Sequence, residues 1–284
     1  IIFSIIAIVY FTVLNPQAGT GNITQTEISM VHTFFNIATT VMLFPASNLI
    51  VKIAKKIGRV DEDANDPGTV LLDERMLQTP SIALQSVIKE TVRMGEIVRR
   101  SIEVAKDVLY TQDQEAIDIL KNDESDVDRL CAGITNYTIK LSSLQISEKE
   151  HQEAAHLLQV LSDMERVSDY CENISEFAET LRDKKASFSE TAKKQLKEMI
   201  EETAKSYFYA LDAFKEQSHE KALRVIEKET KVDDLEVKLR SRHIKRLSNN
   251  ECNTEAGIVF LDTLVCMERI SDHARNIAEE VLEE

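Results

Sequence analysis

Met164-Glu-Arg-Val-Ser-Asp-Tyr-Cys-Glu-Asn-Ile174 and Met267-Glu-Arg-Ile-Ser-Asp-His-Ala-Arg-Asn-Ile277 are one motif written twice. Seven of the eleven positions are identical, Val167 and Ile270 exchange conservatively, and the copies lie 103 residues apart. An earlier pair repeats at nearly the same distance: Asn122-Asp-Glu-Ser-Asp-Val-Asp-Arg-Leu130 aligns with Glu227-Lys-Glu-Thr-Lys-Val-Asp-Asp-Leu235 at an offset of 105. Near-equal offsets point to one duplicated unit rather than to chance similarity.

The unit is helical. The 284 residues contain only 7 Gly and 4 Pro, too few for the turns of a sheet-based fold, and are rich in helix formers. From Ser81 onward the apolar spacing predicts six long amphipathic helices over 80–110, 112–146, 148–183, 189–217, 219–248 and 254–283. Pro80 suits a first helical turn, and Ser147 with Glu150 and Ser187 with Glu190 have capping-box spacing. Long helices joined by short loops must pack antiparallel with their chain neighbours. Each repeat is therefore expected to be a three-helix bundle, repeat 1 over about 80–183 and repeat 2 over about 189–284.

Ahead of the bundle the composition changes. Ile1 to Leu14 is almost wholly apolar, and a second apolar stretch runs from Val31 to Ile53 with no charge before Lys52. The first is too short for a span, which needs about 20 residues, and reads as the end of a longer one; a signal-peptide core is the alternative. Lys52, Lys55, Lys56 and Arg59 follow the second stretch, and clustered basic residues mark a cytoplasmic flank. The expectation is transmembrane helices over 1–57, truncated at their N-terminus, a linker over 58–79, and a cytoplasmic helical domain from 80 to 284 of a multi-pass inner-membrane protein. His32 and Asn36 would be polar groups at or in the second span, either functional or simply solvated at its outer end.

Formal charge is −15, and the basic excess is confined to residues before 60. So acidic a bundle repels nucleic acid and suits cations or basic partners, or serves solubility alone. Cys131, Cys171, Cys252 and Cys266 have no metal-ligand or redox spacing and build no disulfide framework.

The repeat carries four Glu-x-x-x-Asp pairs: Glu124/Asp128, Glu165/Asp169, Glu229/Asp233 and Glu268/Asp272. Residues i and i+4 share a helix face, and like charges there repel unless a cation or water neutralises them. Carboxylate oxygens are hard ligands, fit for Mg²⁺, Mn²⁺, Ca²⁺ or iron. Glu268, Asp272 and Asn276 lie opposite the apolar Met267, Ile270, Ile277 and Val281, which suits either a surface cation site or a solvated face. Asn173 and Asn276, one turn on, are placed to orient the acids or bound water. His273 is a further candidate ligand, whereas His151, His156, His219 and His243 lack ligand spacing and read as surface residues.

The segments Glu165-Arg-Val-Ser-Asp169 with Asn173-Ile174, and Glu268-Arg-Ile-Ser-Asp272-His-Ala-Arg-Asn276-Ile277, resemble the signature of PhoU-like domains. That resemblance implies a duplicated three-helix bundle over about 81–284 with metal clusters on its surface. The register of the two repeats gives the expected membership, one cluster from Glu124, Asp128, Glu165 and Asp169 and its equivalent from Glu229, Asp233, Glu268 and Asp272. Val31-His-Thr-Phe-Phe-Asn36 and Leu72-Asp-Glu-Arg-Met-Leu-Gln-Thr-Pro-Ser-Ile-Ala-Leu84 resemble the last spans and junction of bacterial sodium/phosphate cotransporters. The fold class expected is thus all-α, a transmembrane remnant followed by a PhoU-like bundle of six antiparallel helices. The function implied is a fragment of a sodium-dependent phosphate symporter with a regulatory domain. Sodium and inorganic phosphate would be handled upstream, and lipid, a regulatory protein or a second copy would be partners. The alternative is an anchored helical interaction protein without transport. An enzyme is not expected: di-iron bundle centres use Glu-x-x-His inside the core, and no such pair is repeated here.

Overall fold

The computed structural model describes residues 66–249 and 251–283, together with Ser29, Thr33, Ile37 and Thr40. By packing the chain divides into Ile1–Ala64 and Asn65–Glu284. The second unit is built from α1 (Pro80–Thr111), α2 (Gln114–Ser142), α3 (Glu148–Asp183), α4 (Glu190–Glu216), α5 (His219–Ser248) and α6 (Thr254–Glu283). Among the described residues there is no strand.

The helices start and stop for local reasons that repeat between the two halves. Pro80 opens α1, where its missing N–H costs nothing. α1 ends as Gln112 turns left-handed at φ 51°, and α4 ends the same way at Gln217, also at φ 51°. The next residue at once caps a new helix: Asp113 accepts from Ala116 N–H, and Ser218 from Lys221 N–H. The capping box at Ser147 and Glu150 forms in full. The one expected at Ser187 does not. Ser189, directly before the first turn, accepts from Ala192 N–H and caps α4 instead. Ser187 lies two residues too early to reach an orphan amide.

In each half, the three helices pack on one another, α1 with α2 and α3, and α4 with α5 and α6. The halves join through α3 against α6 and α1 against α4. Leu130, Ile134, Met164, Val167, Tyr207 and Phe260 are among the fully buried core. Polar ties cross the join and the second bundle: Tyr207 Oη donates to Gly95 O at 3.1 Å, and Thr203 Oγ1 to Met267 O at 3.3 Å.

The stretch expected to be a linker is, from Asp66 on, strapped to the first bundle. Arg93 donates to Pro67 O and Thr69 O, each at 2.6 Å, and Tyr137 Oη to Asp73 O at 3.0 Å. Val70 fills the space that Gly133 on α2 leaves by having no side chain. Asp73 then caps a short 3-10 helix, Glu74–Gln78.

The multi-pass inner-membrane placement is corrected. Among the described residues no helix is long and apolar enough to cross a membrane. The reason is physical: every helix from α1 to α6 carries a charged outer face. The segments 1–14 and 31–53 read as spans, with His32 and Asn36, lie outside the described residues, apart from Thr33, Ile37 and Thr40.

Candidate metal centres

α2 and α3 bring the acidic pairs of the first repeat together, and α5 and α6 do so in the second. Ligand oxygens of Glu124, Asp128 and Asp169 lie within 4.8 Å of one another, as do those of Glu229, Asp233 and Asp272. These are the same three positions of the repeat. Glu165 and Glu268, the fourth expected member of each set, stand just outside the triads. They face the same field, for Asp169 and Asp128 act on Glu165, and Asp272 and Asp233 on Glu268.

The electrostatics are those of crowded, partly dehydrated acids. Glu124 is pushed up to about 7, first by burial and then by Asp128 and Glu172. Burial also raises Glu165, Asp169, Asp233, Glu268 and Asp272 above the usual carboxylate range. Neighbouring acids add to the rise, Asp128 at Asp169 and Glu229 at both Asp233 and Asp272. Arginines offset part of the repulsion at matched positions: Arg166 meets Asp169 at 2.9 Å, Arg269 meets Asp272 at 3.4 Å. Both guanidinium groups are more than half exposed and free to swing away. Arg275 additionally holds the buried Glu229 at 2.9 Å.

The donor set fits a hard cation. It is all carboxylate, and Asp233 Oδ1 is buried without a hydrogen-bond donor. Carboxylate oxygens would hold Mg²⁺, Ca²⁺, Mn²⁺ or iron, and a bound ion would invert the repulsion that now raises their pKa values.

The remaining expected residues lie elsewhere. Asn276 Nδ2 donates at 2.9 Å to Asp163 Oδ1, a carboxylate 2 % exposed, and so faces α3 rather than the acids of its own repeat. His273 also turns inward: its Nδ1 lies 2.8 Å from Asp163 and its ring stacks on Tyr170. Asn173 is half-buried on α3. Sequence reasoning passed over Asp163 because its partner position in the second repeat is Cys266, so no duplication marks it. It also passed over Glu172, whose charge acts on Glu124 and whose helical phase places it one turn beyond Asp169. His243 is 2 % exposed and not a surface residue.

A pH test follows from Glu124. The folded chain keeps its proton up to about pH 7, the unfolded chain only to about 4.5. Folding therefore takes up a proton between these values, and the stability tied to Glu124 is lost as pH rises through that window. Metal-free wild type, compared with Glu124→Gln by urea midpoints, should lose relative stability from pH 5 to pH 8, taken roughly. Parallel curves would mean that Glu124 is solvated like an ordinary surface acid.

A six-helix bundle made of two like halves, each with a carboxylate triad between its second and third helices, defines the class of protein. The family follows from comparison: the PhoU domain model matches residues 91–178 and 196–281, one match per repeat, and the chain belongs to the PhoU domain family. It is 24 % identical over 288 residues to YjbB of Escherichia coli K12, a protein named for inorganic phosphate export, covering 99 % of this chain and 52 % of that protein. It is 28 % identical over 200 residues to a phosphate-specific transport system accessory protein, a PhoU homologue of Xylella fastidiosa, covering 70 % of this chain and 83 % of that one. The fold matches the crystal structure of PhoU from Pseudomonas aeruginosa, with TM-score 0.66 and 22 % identity over 71 % of this chain and 96 % of that chain. The regulatory protein PhoU from Streptococcus pneumoniae matches with TM-score 0.65 and 19 % identity, over 72 % and 95 % of the two chains. The chain spans about half the length of the YjbB relatives it matches. These matches complete the correction to localisation: the described bundle has the fold of the PhoU crystal structures, and among the described residues no helix is long and apolar enough to cross a membrane.

Proposed function

We propose that residues 66–283 form the control domain of a phosphate-transport system and act through the two carboxylate centres. The observation that carries the site is the convergence of Glu124, Asp128 and Asp169, and of Glu229, Asp233 and Asp272, at matched positions of both repeats. The phosphate reading is supported by the PhoU match in both halves and by relatives named for phosphate export and for phosphate-specific transport. Sodium-coupled movement, the finer expectation, rests only on the resemblance at Val31–Asn36 and Leu72–Leu84. The relatives favour phosphate flux without naming sodium.

Acids, not a nucleophile or a phosphate-binding loop, are what the chain concentrates. The chemistry this supports is cation-dependent stiffening. A cation clamps α2 to α3 and α5 to α6, and its loss lets the acids repel and the helix pairs loosen. Control then amounts to a change in bundle rigidity that a partner surface reads. The test is phosphate flux in cells that carry the whole protein, wild type or Asp169→Asn/Asp272→Asn, at matched protein level. A changed flux in the double variant supports the reading. Equal flux contradicts it.

A further inference from the structure

Another group of donors converges on the join of the two halves, between the early turns of α3 and the end of α6, and uses none of the triad residues. A ring nitrogen of His156 and carboxylate oxygens of Glu280 and Glu283 lie within 4.8 Å of one another. His156 Nδ1 is hydrogen-bonded to Glu280 Oε2, although the two are 124 residues apart in the chain. The helices run antiparallel here: further along α3, Asp163 meets His273 and Asn276, which come earlier in α6. At the repeat offset of 103, His156 corresponds to Val259 and Glu280 to Phe177. The group is therefore single where the triads are paired, and duplication gives no sign of it.

Its surroundings favour a cation. Glu280 and Glu283 share the last turn of α6, on one face, and that turn holds no basic residue. The carbonyl end of a helix is partially negative, so two acids there are unfavourable without a neutralising charge. His156 and Glu280 are partly buried, and Glu283 is exposed. On one side His156 lines a cavity of about 20 Å³ with the apolar Leu157, Val160, Phe214 and Val281. On the other it lines an open pocket of about 230 Å³ with Glu283, Glu153, Gln152 and Lys149. Lys149 opposes a cation, but it is exposed in the first turn of α3 and can turn into water.

The imidazole changes which ion fits. All-carboxylate triads suit hard ions, whereas one His nitrogen with two carboxylates suits the borderline-soft zinc class. Zinc bonds of about 2.0–2.2 Å set tetrahedral donors roughly 3.3–3.5 Å apart, so these donors need to close by about 1.5 Å at most. The exposed Glu283 side chain supplies that movement.

We propose that His156, Glu280 and Glu283 form a zinc-class site that pins α3 to α6 and so ties the two halves together, its fourth position open to the polar pocket. The ion takes the place of the proton between Nδ1 and Glu280, and the neutral ring keeps its proton on Nε2. The assignment stands whether or not the triads hold metal, and its test is made with the triads disabled. The full chain carrying Asp169→Asn/Asp272→Asn is loaded with Zn²⁺, freed of loosely held ion and measured by elemental analysis. It should retain about one zinc per chain, with affinity then read by competition against a chelator. Adding His156→Gln should remove that zinc. Adding Glu283→Gln, a change at the exposed end of α6 that leaves the fold alone, should weaken zinc binding by about tenfold or more, the least that losing a ligand costs when even an outer partner of a ligand is worth about 10–100-fold. The proposal is overturned if the triad-disabled chain retains no zinc, or if either added substitution leaves zinc binding unchanged.

Discussion

A divalent cation should stabilise the wild-type chain strongly and Asp169→Asn/Asp272→Asn hardly at all. Anything that binds the folded state alone adds RT ln(1 + [L]/Kd), about 2.7 kcal/mol per centre at a hundredfold excess over Kd. Two centres make this the largest effect available to a ligand here. Asn is nearly isosteric with Asp and removes one charge from each triad, so the bundle itself should survive. The metal-free double variant should even be slightly more stable than metal-free wild type, because Asp169 and Asp272 are raised by burial and stand among other acids. The gain with metal should grow with pH, opposite in sign to the metal-free trend at Glu124, because ligands must lose protons before they bind. Urea midpoints with and without Mn²⁺ read both signs. Equal responses in wild type and double variant would leave the acidic stripe a solvated face.

Arg100→Ala should destabilise the chain by about 3 kcal/mol, the lower end for breaking a buried pair. The Asp123 carboxylate is 3 % exposed and is held by Arg100, with Nε at 3.0 Å and Nη2 closer still, and by Ser101 Oγ at 3.1 Å. Without the guanidinium one hydroxyl remains to offset a buried charge. The estimate takes the lower end because Arg100 is itself half exposed, so water can follow its removal. Adding Asp123→Asn to Arg100→Ala should recover much of the loss, since it removes the orphaned charge. The pair also has a positional role. It ties α1 to α2 one residue before Glu124, the α2 member of the first triad. A cost under about 1 kcal/mol would place Asp123 in water.

Much of this was legible because it is written twice. The repeat at Met164–Ile174 and Met267–Ile277 led to six helices, and helical phase put the Glu-x-x-x-Asp pairs on one face. What helical phase cannot say is which member of a pair reaches across to the neighbouring helix. That choice belongs to side-chain packing: Asp169 and Asp272 reach the acids of the neighbouring helix and Glu165 and Glu268 do not, although both members of each pair also meet Arg166 or Arg269. Asp163 was passed over, and His243 was read as a surface residue, for the opposite reason. Each is a polar residue at a buried phase with no repeated counterpart, satisfied or left open only by the tertiary fold. The Ser187 cap failed on a distance of two residues, which spacing alone resolves poorly when Ser189 competes.

The central claim, that the matched triads are cation centres, is tested most directly by counting bound metal. The full chain is loaded with Mn²⁺ or Fe²⁺, freed of loosely held ion, and its content measured by elemental analysis for wild type, Asp169→Asn, Asp272→Asn and the double variant. Two equivalent centres predict that each single substitution removes about half the metal and the double removes nearly all of it, with the helical content unchanged. Wild type that retains no metal, or a double variant that retains as much as wild type, would contradict the account.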